Sequence, residues 1–350
     1  MKKILLIGCN GYIGSALTRY LNSFKDYKVT GVDTNFFKNC YISKPAKIEV
    51  KEKSASMLTK NDLKGQDVVI HLAAFSNDPV GNINPEKFYD KTFQYTCKIA
   101  GYCKSLGIKF IFPSSCSVYG FGKRVFNEKS NTNPLTLYSK NKLLIEKRLI
   151  DMANSDFNPI ILRLATVFGP SPRIRFDLVT NMFVGMAIVY KKILLNSDGL
   201  SWRPHVFIND VCAVLKYFIN YEHTKKKKYL LYNVGTNENN FQTLNLVKII
   251  STKIKNVRQN FINVRNDNYR DIFLDKKIIN GHDKRSYKVS FDKIHREHKK
   301  LDKFKTLKSG ILELIKFFKI TKLNSKKFEN KKFYRLQWYN QIKHRGIKIL

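Results

Sequence analysis

The sequence predicts an α/β fold: a doubly wound parallel sheet, with a smaller, discontinuous second domain toward the C-terminus. Two observations predict it. Short apolar, β-branched runs alternate with longer helix-like segments through the first half. Such runs, joined by helices, imply a parallel sheet covered on both faces. The first run also leads directly into Gly8, Gly11 and Gly14, at three-residue spacing, which open a helical segment.

In chain order, the expected strands are Ile4–Ile7, Lys28–Val32, Val68–Leu72, Lys109–Pro113 and Asn158–Leu164. The helices between them are expected at Tyr12–Asn22, Lys87–Leu106 and Leu137–Ala153. Their connections should be right-handed. The second half is less regular. Asn181–Tyr190 and Leu244–Lys255 read as helices, and Val206–Phe207 and Leu230–Val234 as further strands. Residues 1–170 are therefore assigned to the first domain, with 206–235 returning to it. Residues 171–205 and 236–324 form the second domain. Residues 325–350 are basic with interleaved aromatics, lack clear periodicity, and read as an appendage to the core.

The chain of 350 residues is 43% hydrophobic, enough for a large core. Its most apolar stretch, Met182–Tyr190, is too short to span a membrane and reads as a buried helix. The opening apolar run is short and meets glycines rather than a cleavage site, so it is not read as a signal peptide. Six irregularly spaced cysteines suggest reduced thiols and a cytoplasmic location, with no metal site. The net charge of +37 is mostly lysine scattered along the chain. It reads as a solvated surface that favours anionic small ligands, rather than as a nucleic-acid interface.

A strand, glycines and then a helix form the context in which a dinucleotide binds. Gly8 allows the tight turn, Gly11 lets a pyrophosphate approach the backbone, and Gly14 lets the helix pack on the strand. The phosphates would sit at the helix N-terminus, beside Tyr12 and Ile13. The GxxGxxG spacing is a weak signal alone. Asp33, at the end of the second strand, strengthens it. A carboxylate there accepts hydrogen bonds from an adenosine ribose and repels a 2′-phosphate, which favours NAD over NADP.

The fourth strand is followed by "SSCSVYG", placing Ser114 and Ser115 where the crevice should open. Then comes "YSKNK", with Tyr138 and Lys142 four residues apart at the head of a helix and so on one face. An ammonium beside a phenol lowers the phenol's pKa from about 10. Such a tyrosine can take a proton from an alcohol as hydride leaves its carbon, and Ser115 could hydrogen-bond the same oxygen. Each piece recurs by chance; the three in this order are specific.

With "GCNGYIG", "GVD", "VVIHLAA", "SSCSVYG", "YSKNK", "RLATVFGPSPRIRFDL" and "WRPHVFINDV", the sequence resembles the extended short-chain dehydrogenase/reductase family, in its nucleotide-sugar epimerase and dehydratase branch, over about residues 1–320. The resemblance implies a Rossmann-type fold, a catalytic Ser115–Tyr138–Lys142 set and tightly held NAD. It implies that His71 and Leu72, Ala73 and Ala74 pass beside the cofactor. It also implies a homodimer formed through the two long helices. The substrate would be a nucleotide-diphosphate sugar. Arg173 and Arg175 follow a Gly-Pro turn, and Arg203 and Arg285 match diphosphate-binding arginines of the family. Asp210 reads as organising the domain junction or as a helix cap. Asn77 and Asp78 read as lining the sugar pocket or as a polar turn before Pro79.

Two departures bear on the reaction. Dehydratases of this type carry Asp-Glu after the catalytic Ser or Thr, where this chain has Cys116 and Ser117. Relatives commonly have asparagine where this chain has Thr92. The first disfavours dehydration, and epimerisation is expected; the second bears on the proton relay. Release of a keto sugar by a dehydrogenase is the second reading. A non-catalytic NAD- or nucleic-acid-binding protein on the same scaffold is a third, against which the intact Ser115, Tyr138 and Lys142 stand.

Overall fold

The computed structural model describes residues 1–74, 85–195, 197–222, 227–261, 285–301 and 303–344. Its centre is a seven-stranded parallel sheet: β1 (Lys2–Ile7), β2 (Tyr27–Asp33), β3 (Glu49–Glu52), β4 (Val68–His71), β5 (Lys109–Ser115), β6 (Ile160–Leu164) and β7 (Leu230–Val234). Their spatial order is β7-β6-β5-β4-β1-β2-β3. The strand order reverses between β1 and β4, which pair Ile4 with Val68 and Ile7 with His71. A crevice opens at the carboxyl ends of the strands on either side of such a reversal. This is the doubly wound α/β fold that the sequence predicted.

The strands read from sequence are those whose residues are apolar and buried on both faces. Of these seven, the strand not anticipated is β3, "EVKE". It lies at the sheet edge, where three of its four residues are exposed and no apolar run is required. Helices α1 (Tyr12–Leu21), α2 (Pro85–Leu106) and α3 (Leu137–Met152) connect the first strands. α4 (Val179–Tyr190), α5 (Ile208–Asn220), α6 (Thr243–Lys253), α7 (Leu307–Ile320) and α8 (Arg335–His344) follow. α1 packs with α5 on one face of the sheet, and α2 packs with α3 on the other. The α2/α3 face buries Ile99, Cys103, Ile145 and Leu149 against Val69, Phe110 and Ile161.

The second half builds a small sheet of Thr166–Phe168, Trp202–Phe207 and Asn240–Gln242. Phe121–Phe126 pairs with Ser286–Val289 nearby. The apolar core of the α1/α5 face continues without a break into α4 and α7.

From Ser325 to His344 the segment is packed into the core rather than appended to it. Phe176 is surrounded by the rings of Phe318, Phe328, Phe333 and Tyr334, with centroids 4.6–6.0 Å away. Phe328 is fully buried and lies flat enough on α4 that a Cβ on Gly185 would sit 2.4 Å from its ring. The missing periodicity has a simple cause. Up to His344 the segment consists of Ser325–Phe328, a 3-10 turn at Lys331–Phe333, and α8, short elements broken by turns, so no single repeat runs through it.

Asp210 ties the two halves together. Its Oδ2 accepts the backbone N–H of Lys305 at 2.8 Å, just before α7. Burial pushes its pKa up to about 6. Between about pH 4 and pH 6 the folded protein therefore holds a proton that the unfolded chain has released. Stability is lost as pH rises through that window. Asp210→Asn keeps an acceptor and removes the titration. Its unfolding free energy relative to the parent should rise by about 1–3 kcal/mol from pH 4 to pH 7. Urea melts at both pH values check this; a pH-independent difference refutes it.

Candidate active site

The glycine turn follows β1. Gly8 has φ +91°, and a Cβ there would lie 2.7 Å from the Ala73 amide nitrogen. A Cβ on Gly14 would lie 2.1 Å from the Gly8 carbonyl oxygen. Both positions thus exclude a side chain, and α1 comes hard against the end of β1. Gly11 is the N-cap of α1 and supplies no capping side chain. The first amides of the helix are left to a ligand.

These residues line a cavity of about 410 Å³ that also reaches Ser115, Tyr138, Lys142, Arg175, Arg203 and Arg285. A second cavity of about 340 Å³ adjoins the turn. It is lined by Asp33, Ala73, Tyr95, Phe36, Phe37 and Ser54, among others. Leu72 and Ala74 reach both. Asp33 is buried, and its two oxygens accept the amides of Asn10 (2.9 Å) and Asn35 (3.0 Å). Burial raises its pKa, while those bonds and the fields of Arg173 and Arg335 pull it back. An elongated cleft with amides at its middle and a carboxylate toward one end fits a dinucleotide.

At the other end, α3 presents Tyr138, Lys142 and Glu146 on one stripe. The side chain of Thr136 caps the helix by accepting the Ser139 amide. Tyr138 is half-buried. Lys142 Nζ donates to the Pro113 carbonyl at 2.8 Å and stands 6.0 Å from the centre of the Tyr138 ring. Burial pushes its pKa down to about 7, with Glu146 acting in the opposite sense. Ser115 lies on the cavity wall, and its Oγ accepts the Ser117 amide at 3.2 Å. Ser114 also lines the cavity, and its hydroxyl donates to Glu146.

Sequence reasoning missed the network behind this wall. Glu146 is 1% exposed, and Arg163 Nε and Nη2 reach its two oxygens at 2.7–3.2 Å. Arg163 Nη1 also donates to the Tyr119 hydroxyl at 2.9 Å, which in turn donates to Asn233. Both charges were visible in the sequence. Glu146 follows Lys142 by one helical turn, and Arg163 interrupts the apolar run "IILRL". A charge inside a buried strand calls for a buried partner.

The remaining candidates sort by position. Arg175 lines the larger cavity and forms a two-pronged pair with Asp177, both contacts at 2.9 Å. Arg203 donates to the carbonyls of Trp202 and Arg285, which brings the two predicted arginines together on the wall. Arg173 lines neither cavity. It is fully buried, with its guanidinium carbon 4.0 Å from the centre of the Phe37 ring and no hydrogen-bond partner on its three nitrogens. A direct contact with substrate phosphate does not fit that position. Tyr12 lines the cleft through its backbone, while its hydroxyl donates to the Gly169 carbonyl at 2.8 Å and accepts from Asn181. His71 is buried and hydrogen-bonded to Thr96, and burial pushes its pKa down to about 3, so it is neutral. Thr92, where the resemblance leads one to expect asparagine, accepts the Tyr95 hydroxyl at 3.3 Å. Asn77 and Asp78 lie outside the described residues. No group of three or more metal-ligating side chains occurs among the described residues, and no helix there is long and apolar enough to cross a membrane.

A family model described as "NAD dependent epimerase/dehydratase family" matches residues 4–235. Among curated relatives, the bifunctional polymyxin resistance protein ArnA of Wigglesworthia glossinidia brevipalpis is 25% identical, over 84% of this chain and 51% of its own. The uncharacterized UDP-glucose epimerase YtcB of Bacillus subtilis (strain 168) is 31% identical, over 59% of this chain and 69% of its own. The chain thus spans only about half the length of the first of these relatives. Among solved structures, the NAD-dependent NDP-hexosamine 5,6-dehydratase TunA superposes with a TM-score of 0.75 at 19% identity, covering 91% of this chain and 98% of its own.

Proposed function

The chain belongs to the NAD-dependent epimerase/dehydratase family, and from that premise we propose that it is a nucleotide-sugar epimerase. The observation that carries this reading is the meeting of Ser115, Tyr138 and Lys142 with the glycine turn in one cavity. Gly8, Gly11 and the first amides of α1 hold the pyrophosphate, Asp33 holds the adenosine ribose, and Lys142 stands beside Tyr138. NAD, when bound, supplies a hydride acceptor that can later return the hydride to the same carbon.

The protein's part is the proton. Tyr138, as phenolate, takes the proton of the sugar hydroxyl while that carbon loses its hydride, leaving a ketone. Ser115 hydrogen-bonds the same oxygen and fixes its position. When the keto sugar presents its other face and hydride returns, the Tyr138 phenol gives the proton back to the alkoxide. No net oxidation results, and the configuration is inverted. Arg203 and Arg285 hold the diphosphate of the nucleotide.

Epimerisation is favoured over loss of water by the donor set. Elimination needs an acid and a base beside the sugar. Among the described residues, Asp177 is the only carboxylate lining the larger cavity, and it is paired with Arg175. Burial alone would raise its pKa, but Arg175 pulls it down to about 2, so it has no proton to give. Cys116 is buried with its Sγ on the Arg163 carbonyl, and burial raises its pKa well above the usual thiol range.

The test is incubation with UDP-, GDP-, CDP- and dTDP-sugars, following NADH absorbance and product stereochemistry together. A stereoisomer of one substrate should appear with no net NADH. Accumulation of NADH with a released keto sugar would instead establish a dehydrogenase. A dehydrated 4-keto-6-deoxy product would overturn the argument from the missing carboxylates. The expectation of a homodimer follows from the family resemblance, and that of a cytoplasmic location from the irregularly spaced cysteines. Sedimentation of the purified protein tests the first.

A further inference from the structure

Five residues line both cavities: Gly8, Gly11, Leu72, Ala74 and Arg335. The first four belong to the glycine turn and to the chain leaving β4. The fifth is the only charged member and comes from α8, in the segment that the sequence marked as an appendage. The junction between the cavities is where the middle of a dinucleotide must pass. The field of Arg335 bears on Asp33 at one end of the cleft, and Tyr138 at the other end bears on Arg335, so the guanidinium stands between them.

α8 is anchored there by contacts of its own. Trp338 Nε1 donates to the Phe36 carbonyl at 2.7 Å, and the ring of Tyr339 meets that of Phe37 edge-on at 5.5 Å. Phe37, Cys40, Tyr339 and Ile342 form a buried apolar cluster separate from the main core. The loop that begins at Asp33 is therefore clasped to α8.

Arg335 is 6% exposed, with the buried Arg173 and Arg175 as its neighbours. Burial and the field of Arg175 push the Arg335 pKa down to about 10.

We propose that Arg335 binds the pyrophosphate of the dinucleotide beside the glycine turn, so that α8 is a strap that retains the cofactor. A guanidinium can meet two phosphate oxygens at once, which a lysine cannot. The assignment rests on NAD occupying this cleft.

The experiment is calorimetric titration of the full-length, cofactor-stripped protein with NAD, ADP-ribose and AMP, for the parent, Arg335→Gln and Arg335→Lys. Arg335→Gln should weaken NAD and ADP-ribose by about 10–100-fold, the cost of one charged contact. AMP, which has no pyrophosphate, should change by less than about threefold. Arg335→Lys should fall between and guards against misfolding of the Gln variant, with thermal melts run on both. Unchanged NAD affinity in Arg335→Gln, with parent-like binding, would overturn the assignment alone, as would a raised KM for the nucleotide sugar without a change in NAD affinity. Equal weakening of all three ligands would also overturn it. Failure of the parent to bind NAD would instead strike at the reading of the cleft.

Discussion

Tyr138→Phe should lower kcat by about 10²–10⁴-fold, the usual worth of a positioned acid–base group, and leave NAD affinity within about threefold of the parent. The substitution deletes one hydroxyl and keeps the ring. Helix α3 is capped through Thr136 and Ser139, and Lys142 is held by the Pro113 carbonyl, so neither support depends on the lost oxygen. The proton must then leave the sugar for water, without a base at contact distance. The discriminating measurement is kcat beside the calorimetric Kd for NAD. A parallel fall in both would mean that the phenol serves binding. Near-parental turnover would mean that the proton goes elsewhere.

Arg163→Met should destabilise the fold by about 3–5 kcal/mol, because it strands the Glu146 carboxylate in a site with almost no solvent. Three guanidinium contacts to Glu146 are lost at once, and the Ser114 hydroxyl remains as its neighbour. Turnover should fall as well, since Ser114 precedes Ser115 on β5. The double variant Glu146→Gln with Arg163→Met should recover part of the stability, because no buried charge remains. Urea denaturation of the single and double variants decides it. A loss under about 1 kcal/mol in Arg163→Met would show that water reaches Glu146 and that the pair is not a dry one.

How much of this could be read from the chain follows from how local each signal is. β1, β2, β4, β5, β6 and β7 are buried on both faces, and burial forces consecutive apolar residues that anyone can see. β3 is an edge strand that takes its place from pairing with β2, for which Glu49–Glu52 carries no composition signal. The glycine turn, Asp33, Ser115, Tyr138 and Lys142 were visible because each sits at a fixed offset from the end of a strand or the start of a helix. Arg335 had no such offset. It reaches the cleft only because Phe328, Phe333 and Tyr334 fold the last segment back on Phe176, and that contact spans about 150 residues. Arg173 erred in the other direction. Its Gly-Pro context suggested a phosphate ligand, yet the turn directs it behind Phe37 rather than into the cavity.

The hydrogen bonds of Tyr12 have a mechanical meaning. One phenol at the root of the phosphate helix is bolted both to the Gly169 carbonyl and to Asn181 of α4, which also takes the Gly169 amide. The floor beneath the coenzyme and the wall that faces the sugar therefore behave as one casting, with no joint between them. The rim is latched separately, by Trp338 on the Phe36 carbonyl and by Tyr339 against Phe37.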